Sequence, residues 1–115
     1  MGMLTDEGAP DWHPAPQFVH NAVRKANAEA KKLGINIVQL AVQFAFHNSP
    51  AHTTLIGMKT VKQVEDNLRL IESEINEEQL NLVLDMIKDV RNVTWVSGRE
   101  EHHEPDAYPQ RQFGH

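Results

Sequence analysis

Apolar residues recur with helical spacing in four stretches of the chain. Between 17 and 33, Val19, Ala22, Val23, Ala26, Ala30 and Leu33 share one face at a 3.6-residue period. Asn21, Arg24, Lys25, Lys31 and Lys32 fall mainly on the other face. Pro16 suits the first turn, Lys31 and Lys32 suit the negative end of the helix dipole, and Gly34 is a stop signal. A second helix is expected over about 37–47, with Asn36 as its N-cap. Ile37, Leu40, Ala41, Phe44 and Ala45 form one face of it, while Val38, Val42 and Phe46 lie outside that face. A helix apolar over so much of its circumference is expected between two layers. The third helix, over about 61–72, aligns Val61, Val64, Leu68 and Ile71, and Thr60 and Gln63 stand in the relation of a capping box. The fourth, over about 77–91, aligns Leu80, Val83, Leu84, Ile87 and Val90, with Asn76 and Gln79 in a similar relation.

The remaining apolar run is different. Thr53, Thr54, Leu55 and Ile56 are β-branched or apolar and lead straight into Gly57, the pattern of a short strand buried on both faces of a parallel sheet. Four helices and one central strand do not make a closed architecture, because a lone buried strand leaves its backbone donors and acceptors unpaired. Either the run is a linker in a small helical bundle, or the chain is part of a larger α/β protein. The β-branched character of the run favours the second. Residues 1–16, punctuated by Gly2, Gly8, Pro10, Pro14 and Pro16, read as loop, in which Trp12 is expected to pack onto something. Residues 99–115 show no pattern and read as a mobile tail.

Composition narrows the function classes. A length of 115 residues fits one domain, and 40% hydrophobic residues is far above the level of a disordered chain. The absence of cysteine excludes a disulfide scaffold, a zinc-thiolate site and a thiol nucleophile. A net charge of −5, with no basic cluster longer than Arg24-Lys25 or Lys31-Lys32, argues against nucleic acid as a partner. No stretch is apolar enough to span a membrane, and the N-terminus lacks the features of a signal peptide, so a soluble cytoplasmic setting is expected.

The segment from Leu55 to Thr60 carries the most chemistry. A strand ends, Gly57 permits close backbone approach, and a capped helix begins. The first N–H groups of a helix lack intrahelical partners and sit at its positive end, so such a junction can hold an anion. Lys59 would add a charge, Thr60 a hydroxyl, and Gln63 and Asn67 amides. The alternative is that Gly57 only turns the chain and Thr60 only caps the helix. The other candidates are weak. His102-His103-Glu104 is the densest possible metal cluster but lies in the patternless tail, His47 and His52 read as solvent-facing loop residues, and His13 and His20 carry no signal. Glu65 and Asp66 are adjacent on a helix and do not face each other. Glu100 and Glu101 belong to the tail, and Ser49, Ser73 and Ser97 lack a nucleophile elbow.

Residues Leu55 to Asn67 resemble the C-terminal cofactor motif of the aldo-keto reductases. Leu40 to Ala45 is similar to that family's helix before its seventh strand, and Met1 to Thr5 to the segment after its sixth. Gly8 to Ala15 and Val93 to Gly98 resemble the L-galactose dehydrogenase-like branch. The resemblance covers about residues 1–98 in unbroken order. It implies an α/β fold, here the C-terminal part of a (β/α)8 TIM barrel, incomplete in this chain and mostly helical. Such barrels commonly build a phosphate site after strands seven and eight and need roughly 250 residues. The implied organisation is a barrel segment over 1–92 and a tail over 93–115, disordered from about 99.

By the same resemblance, Gly57 and Met58 would offer backbone contacts to the adenosine end of NAD(P), and Lys59 and Thr60 would face its 2′-phosphate or ribose. Gln63, Asp66 and Asn67 would line the adenine, and Gly2, Met3, Leu4 and Thr5 would lie beside the pyrophosphate. Ile56 stands where many members carry proline, and Gln63 where some NADP-specific members carry arginine. NADP is preferred as cofactor, with NAD as the alternative toward which the dehydrogenase-like branch pulls. The family's catalytic Asp, Tyr, Lys and His find no counterpart, and Tyr108 lies in the unmatched tail. The implied function is a fragment of an NAD(P)-dependent reductase or sugar dehydrogenase, with an N-terminal barrel half as a possible partner. A small helical interaction protein is the alternative.

Overall fold

The computed structural model describes residues 2–96. The expectations placed on Met1, Ser97, Gly98 and the tail, including the His102-His103-Glu104 cluster and Tyr108, lie outside the described residues. Four α-helices follow in order: α1 (Gln17–Lys32), α2 (Ile37–His47), α3 (Val61–Glu72) and α4 (Glu77–Met86), with a 3-10 turn over Lys88–Val90.

Local chemistry sets their ends. Pro16 stands just ahead of α1 and not inside its first turn, and its carbonyl accepts the Val19 N–H at 3.0 Å. At the far end Gly34 takes φ +69°, a left-handed conformation that a side chain disfavours. This lets the Ile35 N–H reach the Ala30 carbonyl at 2.9 Å and the Gly34 N–H reach Lys31 at 3.1 Å, closing a Schellman motif. The Asn36 side chain accepts the Gln39 N–H at 3.1 Å and caps α2, and Asn76 accepts the Gln79 N–H at 3.0 Å and caps α4. Thr60 and Gln63 form a full capping box on α3.

Two small apolar clusters hold the helices together. One joins Ala30 and Ile35 to Ile37 and Leu40 of α2 and to Leu80 and Val83 of α4. The other joins Ala15, Val19 and Val23, with Val90 and Val93 against them. Leu4 packs on both clusters and so ties the N-terminal segment to the helices. Gln43, a buried polar residue, donates to the Ser73 hydroxyl at 2.9 Å and the Glu74 carbonyl at 3.3 Å, fixing α2 to the α3–α4 connection.

Several expectations need correction. No strand is present among the described residues. Thr53–Gly57 makes no backbone–backbone hydrogen bond with another described residue, and Leu55 is 93% exposed. A strand exists only as a pair, and nothing described pairs with this run. The apolar line of α3 is also uncovered: Val61, Val64, Leu68 and Ile71 are all exposed, and the helix has no buried residue. Leu33 lies outside α1 and is exposed, Val38 and Phe44 of α2 are exposed, so α2 is not sandwiched, and Trp12 is largely exposed. The last helix stops at Met86, and the backbone turns at Ile87 (φ −107°, ψ 11°) into the 3-10 segment.

Candidate functional site

The expected site residues come from two segments. In the junction before α3, Gly57, Met58, Lys59 and Thr60 are exposed. The Gln63 side-chain oxygen accepts the Lys59 N–H at 2.6 Å and the Thr60 N–H at 3.3 Å. In return the Thr60 hydroxyl accepts the Gln63 N–H at 3.1 Å. The capping box therefore occupies the amides of Lys59, Thr60 and Gln63 with groups from the same turn. One and two turns further, Asp66 and Asn67 are half-buried. The Lys62 ammonium donates to Asp66 at 2.7 Å, and Arg69 donates to its other oxygen. The Lys62 hydrogen bond, with Arg69 beside it, holds the Asp66 carboxyl below the usual carboxylate range.

In the N-terminal segment, Gly2 takes φ +75° and its carbonyl accepts the Thr5 hydroxyl at 2.6 Å. Thr5 in turn receives the Gly8 N–H at 3.1 Å. Asn27, buried on α1, donates to the Met3 carbonyl at 3.0 Å and the Thr5 carbonyl at 2.7 Å. Two acceptors on one amide nitrogen fix the orientation of that side chain. Its Oδ1 is buried and has no partner among the described residues.

These two segments meet at an open cleft of about 510 Å³. On one side stand Gln63, Asp66 and Asn67 of α3, and on the other Asp6, Asn27 and Lys31, with the first turn of α2 between them. Lys31 and Asp6 face each other at 3.7 Å, both well exposed. A cleft with amides, carboxylates and one lysine around apolar α2 residues suits a small polar ligand with a flat face. Gly57 to Thr60, Gly2 and Leu4 do not line it.

Comparison with known proteins decides the family. The family model described as aldo/keto reductase family matches residues 1–88. The chain belongs to the aldo/keto reductase family. L-galactose dehydrogenase of Arabidopsis thaliana is 38% identical over 102 residues, which cover 85% of this chain and 32% of that protein. This aldo/keto reductase chain thus spans about a third of the length of the curated relative it matches.

Sequence reasoning did not single out Asp6, Asn27 or Lys31. Asn27 had a signal: it follows His20 by seven residues on the apolar side of α1, where a polar group must find partners. No helix among the described residues is long and apolar enough to cross a membrane.

Proposed function

We propose that the chain supplies the adenosine-phosphate end of the nicotinamide dinucleotide site of an NAD(P)-dependent aldo-keto reductase or sugar dehydrogenase. The observation that carries this reading is the cleft that sets Gln63, Asp66 and Asn67 against Asp6 and Lys31. In this reading Gln63, Asp66 and Asn67 of α3 would line the adenine, Gly57 and Met58 would offer backbone contacts to the adenosine end, and Lys59 and Thr60 would face its 2′-phosphate or ribose. Gly2 and Leu4 lie on the pyrophosphate side through their backbone, since the Leu4 side chain is used in packing. NADP is the preferred cofactor, with Lys59 and Lys31 as the cations on either side, and NAD is the alternative. A bound nicotinamide would supply the redox chemistry, giving a hydride to a carbonyl carbon when reduced or taking one from the carbinol carbon of a sugar when oxidised. The general acid and its partners come from outside this chain, from an N-terminal barrel portion that also covers Leu55 and the α3 stripe. A cytoplasmic setting belongs to the same proposal, and the cysteine-free composition is compatible with a reducing compartment.

The test is binding, read by amide chemical shifts of the 115-residue chain, alone and with the N-terminal two-thirds of the relative. Adenosine 2′,5′-bisphosphate is expected to move resonances of residues 57–67 and of Asp6. Thr60→Ala and Asn67→Ala are each expected to weaken binding about tenfold, the loss of about 1.4 kcal/mol. Shifts in neither sample overturn the reading. A second reading, a small helical interaction protein, is favoured by the two clusters that close within the described residues, one among α1, α2 and α4 and the other between α1, the N-terminal segment and the 3-10 region. It requires a cooperative melt with little binding of a hydrophobic dye.

A further inference from the structure

Two segments that carry the family resemblance take no part in the cleft. Trp12-His13-Pro14-Ala15 and Thr94-Trp95 meet each other instead, on the far side of α1. After the 3-10 turn the chain reverses at Asn92, whose φ of +63° is left-handed, and lays Trp95 against His13. The two rings stand 5.7 Å apart at 63°. From α1, the His20 ring meets His13 edge-on at 5.5 Å and 81°. Only 7% of His13 and 8% of His20 remain exposed.

One protonation state satisfies every contact in this cluster. His13 Nδ1 accepts the Ala15 N–H at 3.2 Å, so that nitrogen carries no proton. His20 Nε2 lies 3.3 Å from the His13 carbonyl and donates to it in the tautomer protonated there. A proton added at His13 Nδ1 would face the Ala15 N–H donor to donor and leave that buried amide without an acceptor. It would also place a positive charge beside His20, the titratable group that faces it from α1. The C-terminal segment faces it with the Trp95 ring, which does not titrate. An imidazolium beside an indole gains a cation–π contact, but it cannot keep both the proton and the Ala15 hydrogen bond. Burial first, then the coulombic effect of His20, holds His13 below its ordinary value.

We propose that His13, His20 and Trp95 form a proton-operated clasp that pins the segment after the 3-10 turn to the loop before α1, and that opens when His13 is protonated. The device belongs to this chain alone and stands whether or not the cleft binds a nucleotide.

The test uses the 115-residue chain with Trp12→Phe, which leaves Trp95 as the one tryptophan. Trp95 is 39% exposed in the closed clasp, so as pH falls from 8 to 5 its accessibility to acrylamide is expected to rise about twofold, with a midpoint below the ordinary histidine value of about 6.5. The far-UV helical signal is expected to stay constant. His13→Asn keeps an acceptor for the Ala15 N–H but cannot titrate, and should abolish the transition. His20→Asn removes the imidazole that faces His13 and should move the midpoint upward. Constant accessibility, a transition that tracks helix loss, one that survives His13→Asn, or a midpoint unmoved by His20→Asn each overturns the clasp.

Discussion

The α1–α2–α4 side of the molecule and the stretch from Thr53 to Glu72 carry the same kind of sequence and end up differently. Both show apolar residues in register and well-formed caps. On the first side Ala30, Ile37, Leu40, Leu80 and Val83 are buried against one another. On the second, Val61, Val64, Leu68 and Ile71 line up equally well and stay exposed. Amphipathic spacing therefore states that a face has a partner, not where the partner is. For α1, α2 and α4 the partner lies within the described chain. For the apolar stripe of α3 and for Leu55 the described residues offer no cover, although α3 contacts α2 along another side, in a chain that spans about a third of its matched relative.

The largest expected effect separates the two sides directly. Leu40 is 4% exposed, and Leu40→Ala should cost about 2–5 kcal/mol through lost burial and a residual cavity. Leu68 is 60% exposed, and Leu68→Ala should stay within about 0.5 kcal/mol in the isolated chain. Urea denaturation of both variants checks this. Equal losses would mean that α3 is packed in solution and that the comparison is false. Leu68→Ala should become costly only in the presence of an N-terminal barrel portion.

What was legible in the sequence follows the same division. Helix ends were readable within a few residues because their causes are local: Asn36, Thr60 and Asn76 as caps and Gly34 as a left-handed stop. The strand expected at Thr53–Ile56 is absent among the described residues, because pairing depends on residues distant in sequence. The family was legible from the motif at Leu55 to Asn67 and its neighbours, and the matched relative bears it out. Half of the cleft was legible too, as Gln63, Asp66 and Asn67 lie on one helix. The opposite wall was not, since Asp6 belongs to a segment that Asn27, 21 residues further on, fixes through the Met3 and Thr5 carbonyls. His13 carried no signal in the sequence, yet it is buried with His20 beside it and Trp95, 82 residues further on, packed against its ring.

Asn27 gives the next effect in size, and it lies on the packed side. Asn27→Leu removes both hydrogen bonds to the N-terminal segment and leaves the Met3 and Thr5 carbonyls without that donor. A stability loss of about 1–3 kcal/mol is expected in thermal or urea unfolding. Proteolysis within residues 2–8 should accelerate at the same time. A loss of stability without faster cleavage would show that the anchor is not what holds this segment.

The smallest effect falls on the exposed side and sharpens the contrast most. The Thr60 hydroxyl accepts the Gln63 N–H at 3.1 Å, and Thr60→Ala removes half of the capping box. A lost cap costs about 1 kcal/mol. In α1 or α4 such a loss would register as global destabilisation, because burial couples those helices to the rest. In α3 no residue is buried, so the helix can open by itself while the two clusters stay closed. Amide exchange within Val61–Glu72 should therefore speed up about fivefold. Exchange in α1 and the unfolding midpoint reported by the buried clusters should not move. If the whole molecule loses stability together, α3 is part of the cooperative unit, and its exposed stripe is covered in solution by another copy or by the rest of the chain.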